Sequence, residues 1–93
     1  MSVNAGDAVT VTGGGAGDAA AAIKGDANIT AGGGVNVSNF TGIAVDGNLT
    51  VNSSTGVTVV GNTQRNAVRY AANITSSGAV NISNSRGIAV AAS

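Results

Sequence analysis

One short pattern recurs along this chain and dictates what it can fold into: a small residue, Asn, an aliphatic residue, Thr. It stands at Ala27-Asn28-Ile29-Thr30, Gly47-Asn48-Leu49-Thr50 and Ala72-Asn73-Ile74-Thr75. Two further short runs of alternating aliphatic residues follow each copy. From Ile29 the apolar steps are 6, 2, 6, 2 and then 4, so the pattern restarts at Leu49, one full period after Ile29. Val3, Val9, Val11, Ala21 and Ile23 form a degenerate first copy. Five apolar columns result: Val3, Ile29, Leu49, Ile74; Val9, Val35, Val57, Val80; Val11, Val37, Val59, Ile82; Ala21, Ile43, Val68, Ile88; and Ile23, Val45, Tyr70, Val90.

Alternation with period two puts successive side chains on opposite faces of a strand. Each run is bounded by Gly, Asn, Ser or Asp, which turn a chain cheaply. The β-branched content, the recurrent glycines and the lack of a helical period exclude helices. Three short strands per unit describe one rung of a solenoid, each rung stacking on the last at about 4.8 Å. The expectation is an all-β, right-handed parallel β-solenoid of about four rungs, one domain over 1–93. Its repeats run over about 3–25, 26–45, 46–70 and 71–93. The unequal steps favour the right-handed coil over a left-handed one built from equal hexads. An antiparallel sandwich is the alternative, but it does not explain the recurrence of one residue type at one place. Stacking predicts an amide ladder of Asn28, Asn48 and Asn73, an outward ladder of Thr30, Thr50 and Thr75, and a widened rung at Tyr70.

Composition narrows the chemistry. Ala, Gly, Val, Asn, Thr and Ser fill 74 of 93 positions, and the chain has no Cys, His, Pro, Trp or Glu. Disulfides, thiolate or imidazole metal sites and histidine-based catalysis are therefore excluded. Four Asp balance one Lys and three Arg, which argues against a general nucleic-acid or membrane-surface binder. No apolar run approaches the ~18 residues of a membrane-spanning helix. The start, Met1-Ser2-Val3-Asn4, lacks the basic and apolar regions of a signal peptide.

The runs Gly47-Asn48-Leu49-Thr50-Val51-Asn52-Ser53-Ser54 and Ala72-Asn73-Ile74-Thr75-Ser76-Ser77-Gly78-Ala79-Val80-Asn81-Ile82 resemble the haemagglutinin repeats of filamentous-haemagglutinin-type adhesins, the large exoproteins of two-partner secretion. The resemblance covers roughly residues 26–93. It implies a solenoid fibre that carries adhesive sites away from a bacterial cell, hence an extracellular or cell-surface location. The secretion domain of that family carries an Asn-Pro motif, which a chain without proline lacks. No Arg-Gly-Asp occurs, since Ser85-Arg86-Gly87-Ile88 does not match. Secretion signals and integrin binding are not carried over.

Other motifs are weaker than their ordinary structural readings. Gly15-x-Gly17-x-x-Ala20 after Val9–Gly13 imitates a dinucleotide fingerprint without the βαβ unit that it needs. Gly13 to Asp18 partly matches a calcium nonapeptide but has Ala16 at a glycine position and does not recur. Asp26 and Asp46 lie one repeat apart and are expected to stack as neighbouring carboxylates, a geometry that glycosidases use; turn formation explains aspartates at such places more simply. Seven Asn-x-Ser/Thr sequons, at Asn28, Asn36, Asn39, Asn48, Asn52, Asn73 and Asn81, follow from alternating Asn and Thr around aliphatic residues. The lone Thr10-Val11-Thr12 does not make an ice-binding face, which needs threonine pairs on every rung.

Two insertions, near Gly13 to Ala20 and Gly61 to Ala67, fall between the third and fourth columns and so emerge at one corner. Arg65, Arg69 and Arg86 gather along that edge. They form a candidate anion or glycan strip, with guanidinium forks matching sulfate or carboxylate; keeping a solenoid edge soluble explains the same charges. The sequence thus predicts a structural or adhesive module of a bacterial surface or extracellular fibre protein, non-catalytic, with no metal and no cofactor. End-to-end self-association is expected, and a host or bacterial surface glycan is the candidate ligand; nucleic acid and membrane insertion are not expected. A self-assembling filament subunit is the alternative.

Overall fold

The computed structural model describes residues 1–13, 21–64, 66–84 and 88–92, the last five as backbone. Every regular element among the described residues is a strand, and the strands build three faces. Face A stacks β1 (Ser2–Ala5), β4 (Ala27–Ala31), β7 (Leu49–Ser53) and the second half of β9 (Asn66–Ser76). Face B stacks β2 (Val9–Gly13), β5 (Val35–Asn39), β8 (Val57–Gly61) and β10 (Val80–Asn84). Face C stacks β3 (Ala21–Lys24), β6 (Ile43–Asp46), the first half of β9 and β11 (Ile88–Ala92). Every pairing among the described residues is parallel. Each face is four strands deep, so the chain makes about three full turns from its first layer to its last. This is a parallel β-solenoid, and an antiparallel sandwich is excluded.

The core is narrow and aliphatic. Ile29, Val35, Val37, Val45, Val51, Val57, Val59 and Val68 are at most 2 % exposed. β-Branched side chains suit it because they pack flat against the same position one layer above and below. On face B the columns Val9, Val35, Val57, Val80 and Val11, Val37, Val59, Ile82 are in register as expected.

On faces A and C the third layer is displaced from the expected period. Ile29 pairs with Val51, and Val51 with Ile74, so Leu49 is not in that column. Leu49 instead lies between Ala27 and Ala72, almost fully buried, where two small neighbours leave room for its branched end. The step from β4 to β7 therefore runs from Ile29 to Val51, two positions longer than the Ile29-to-Leu49 period. The displacement also removes both predicted ladders. Asn28 is followed by Thr50 and then Asn73, while Thr30 is followed by Asn52 and then Thr75. On face C the partner of Val45 and of Val90 is Val68, and Ile88 pairs with Asn66. Tyr70 leaves the interior, half exposed, and no rung is widened to hold it.

The correct register exposes a longer period. Layers two and four, over 27–46 and 72–91, are identical at thirteen of twenty positions without a gap. Layers one and three share Val3, Asn4, Val9, Thr10, Val11 and Gly13 with Val51, Asn52, Val57, Thr58, Val59 and Gly61. The corner between faces B and C shows why two layers repeat rather than one. Gly13 pairs with Asn39, and Asn84 with Gly61, so glycine and asparagine alternate there. In layer two the buried Asn39 organises the short turn into β6: Asn39 Nδ2 donates to the Ile43 carbonyl at 3.0 Å, and Asn39 Oδ1 accepts from the Thr41 N–H at 3.0 Å. In layers one and three the connection is longer and an alanine fills the corner. A Cβ on Gly61 would stand 2.8 Å from Ala67 Cβ, and one on Gly13 2.6 Å from Ala22 Cα.

This packing sets the cost of substitution. Val37→Asp or Val59→Asp buries an unpaired charge and should cost more than ~4 kcal/mol, unfolding the stack, whereas Thr30→Asp should change stability by under ~0.5 kcal/mol. Melting curves followed by circular dichroism check this, and equal tolerance at both sets contradicts the register. At the alternating corner, Asn39→Ala strands a buried carbonyl and should cost ~1–3 kcal/mol. Gly61→Asn overpacks the corner and should cost a similar ~1–3 kcal/mol. Exposed Asn36→Ala is the control and should leave the melting temperature unchanged.

Candidate functional site

The corners carry most of the polar chemistry that the structure describes. At the corner between faces C and A, the Asn48 N–H and Nδ2 donate to Asp26 Oδ1 at 2.9 and 3.2 Å, and the Ala71 N–H donates to Asn48 Oδ1 at 3.1 Å. Asp26 and Asn48 thus tie the second layer to the third and the third to the fourth. Between faces A and B, the single hydroxyl proton of Ser53 is shared between the carbonyls of Gly33 and Gly56, at 2.8 and 3.0 Å from Oγ. Between B and C, Asn62 Nδ2 donates to the Phe40 carbonyl, and Asn84 Oδ1 accepts from the Thr63 N–H. Among the described residues no buried side-chain nitrogen or oxygen lacks a partner.

Arg69 is the member of the expected arginine strip that lies among the described residues; Arg65 and Arg86 lie outside them. Arg69 projects from face C and reaches Asp46 at 3.0 Å, both side chains being partly exposed. Its guanidinium carbon stands 5.4 Å from the centroid of the Tyr70 ring. The hydrogen bond to Asp46 first, and then the charges of Tyr70 and Asp46, hold the guanidinium above its ordinary pKa. Lys24 is the register partner of Asp46 on the preceding layer. Face C therefore carries Lys24, Asp46 and Arg69 on successive layers, a column of alternating sign. The sequence reading missed this column because it depends on the displacement of the third layer. Reading Lys24, Asp46 and Arg69 as one column, at steps slightly longer than the Ile29-to-Leu49 period, would have found it.

The same displacement gives Asp26 and Asp46 different partners. Expected as stacked neighbours, they serve different columns: Asp26 caps the corner with Asn48, and Asp46 pairs Arg69 on the outer face. The glycine-rich stretch that imitates nucleotide and calcium motifs, including Asp18, lies outside the described residues from Gly14 to Ala20. Among the described residues no three acidic, His or Cys side chains come together as metal ligands.

Of the sequon asparagines, Asn39 is fully buried and bonded, while Asn28, Asn36, Asn48, Asn52, Asn73 and Asn81 are exposed. An open groove of about 360 Å³ runs along the corner of faces A and B. Thr10, Asn36, Thr55 and Thr58 line it beside the apolar Ala8, Val9 and Val35, and no charged side chain is among the lining residues.

Comparison of the chain with protein families, with curated proteins and with solved structures found no match.

Because Asp46 already occupies Arg69, the parent protein should pass a heparin column at physiological salt. Asp46→Asn leaves the guanidinium without its carboxylate and should delay elution. The melting temperature should barely move, as exposed pairs contribute little to stability. Elution of parent and variant at the same salt concentration would contradict the assignment of Asp46 as the group that neutralises Arg69.

Proposed function

We propose that this chain is a structural and adhesive β-solenoid module of a bacterial surface or extracellular fibre protein, without catalysis. One observation carries the reading: the polar groups that the fold brings together at its corners are consumed in shaping the turns and in joining one layer to the next. Asp26, Asn48, Ser53, Asn39 and Asn84 all bond backbone groups at corners, leaving neutral Ser, Thr and Asn side chains to cover the outer face of A. A stack built this way extends by repetition and holds its length, which is what a fibre requires. The resemblance of the Asn-Leu-Thr and Asn-Ile-Thr runs to haemagglutinin repeats supports the extracellular setting, and a chain free of cysteine tolerates it. A surface glycan is the candidate ligand.

A filament subunit that stacks end to end is the second reading. It is favoured by Val80, which is 48 % exposed although Val9, Val35 and Val57 of the same column are 8 % or less. Among the described residues the core is open at the Val80 end of this column and covered at the Val9 end.

The test is an assay of the immobilised chain against neutral and acidic polysaccharides, with binding and release of reducing ends read together. Binding without released ends is the expected result for the adhesive module. Catalytic release above the buffer rate would overturn the reading, and absence of any binding would reduce it to a spacer.

A further inference from the structure

The two-layer period says what fits the open end. Layer four is of the asparagine-corner type, with Asn84 in the corner position and Asn81 outward on face B. In the interior of the stack, each such layer is flanked by layers of the glycine-corner type: layer two lies between layers one and three. Layer one is of that type, with Gly13 in the corner and Thr10 outward. Among the described residues it ends the stack on the opposite side, where β1 and β2 pair only inward. A layer-one edge is therefore the surface that continues the pattern beyond layer four. Resting on the solenoid reading above, we propose that the face formed by β9 and β10 docks a second copy of this chain through the β1 and β2 edge of that copy, in the register of the internal layers.

The backbone is arranged for this. The Val9, Val35 and Val57 N–H groups donate to the carbonyls of Gly34, Gly56 and Ala79, each on the following layer. The equivalent group on β10 is the Val80 N–H, which points out of the stack. In a parallel ladder alternate residues bond to opposite neighbours. The outward groups of β10 are thus those of Val80, Ile82 and Asn84, and those of β2 are Thr10 and Thr12. Docking in register would pair the Val80 N–H with the Ala8 carbonyl of the second copy and stack Val80 on Val9 and Ile82 on Val11. On face A it would stack Ile74 on Val3. All of these aliphatic side chains but Val9 are partly or well exposed in a single copy. Outer-face alternation is kept as well: Thr10 would follow Asn81, as Asn36 follows Thr10 and Thr58 follows Asn36. Unpaired parallel edges with apolar columns behind them are strong templates for added strands.

The absence of cysteine makes the register measurable. Asn81→Cys and Thr10→Cys, introduced together, stand at opposite ends of one stack, about 14 Å apart at three strand spacings. They cannot close within a chain. In the docked pair they become lateral neighbours about 4.8 Å apart, within disulfide reach. Mild oxidation should give a covalent ladder of dimers and higher species on a non-reducing gel. Asn81→Cys with Thr12→Cys is the off-register control, about 7–8 Å apart on the diagonal, and should give at least tenfold less. Val80→Pro removes the outward donor at an edge where proline is tolerated. It should abolish the ladder while leaving the circular dichroism of a folded β-protein. A folded parent that stays monomeric at all concentrations would overturn the docking and leave the solenoid module standing. Equal ladders from the two cysteine pairs would overturn the register. An unfolded parent would sink both proposals.

Discussion

The structure depends on one interaction: the parallel backbone ladder that each strand forms with the strand one turn later. It fixes the layer spacing at about 4.8 Å and places like positions above one another. Side-chain selection follows from that spacing. An interior position must accept its own kind above and below, so Val, Ile and Ala fill the columns, with Leu49 tolerated where Ala27 and Ala72 flank it. Charges must alternate along a column, as Lys24, Asp46 and Arg69 do. A charge repeated at one position would meet itself at the layer spacing.

The strands, their parallel stacking and the face B columns were legible in the sequence because Val-x-Val and Val-x-Ile runs recur there without insertions. The third layer was not. Asn48-Leu49-Thr50 imitates Asn28-Ile29-Thr30 letter for letter in type, yet Leu49 serves a column of small residues two positions earlier than Ile29. Tyr70 misled for a related reason: period-two alternation assigns it inward, but β9 turns the corner from face C to face A at that point. The candidate site was legible in part. Arg69 could be placed on an outer edge, but its partner Asp46 could not, because the pairing depends on the same displacement.

The alternation of layers connects local packing to assembly. At the corner of faces B and C an asparagine that organises a short turn and a glycine that admits an alanine need different neighbours. Asn39 and Gly61 are not interchangeable, and the repeating unit becomes a pair of layers. A solenoid with a two-layer unit carries polarity and parity: an end of one type specifies the type that can follow it. The length of the solenoid grows by such pairs, while the corners with the longer connections recur on one side of every second layer.

All of this turns on the register of the parallel stack, in which Val51 rather than Leu49 follows Ile29 from the second layer to the third. Backbone nuclear Overhauser contacts between layers test it most directly. The stack predicts interstrand contacts linking Ile29 to Val51 and Val51 to Ile74, with the close amide-to-α-proton pattern of parallel strands. Contacts linking Ile29 to Leu49 and Leu49 to Ile74, or the close α-proton pairs of antiparallel strands, would contradict it.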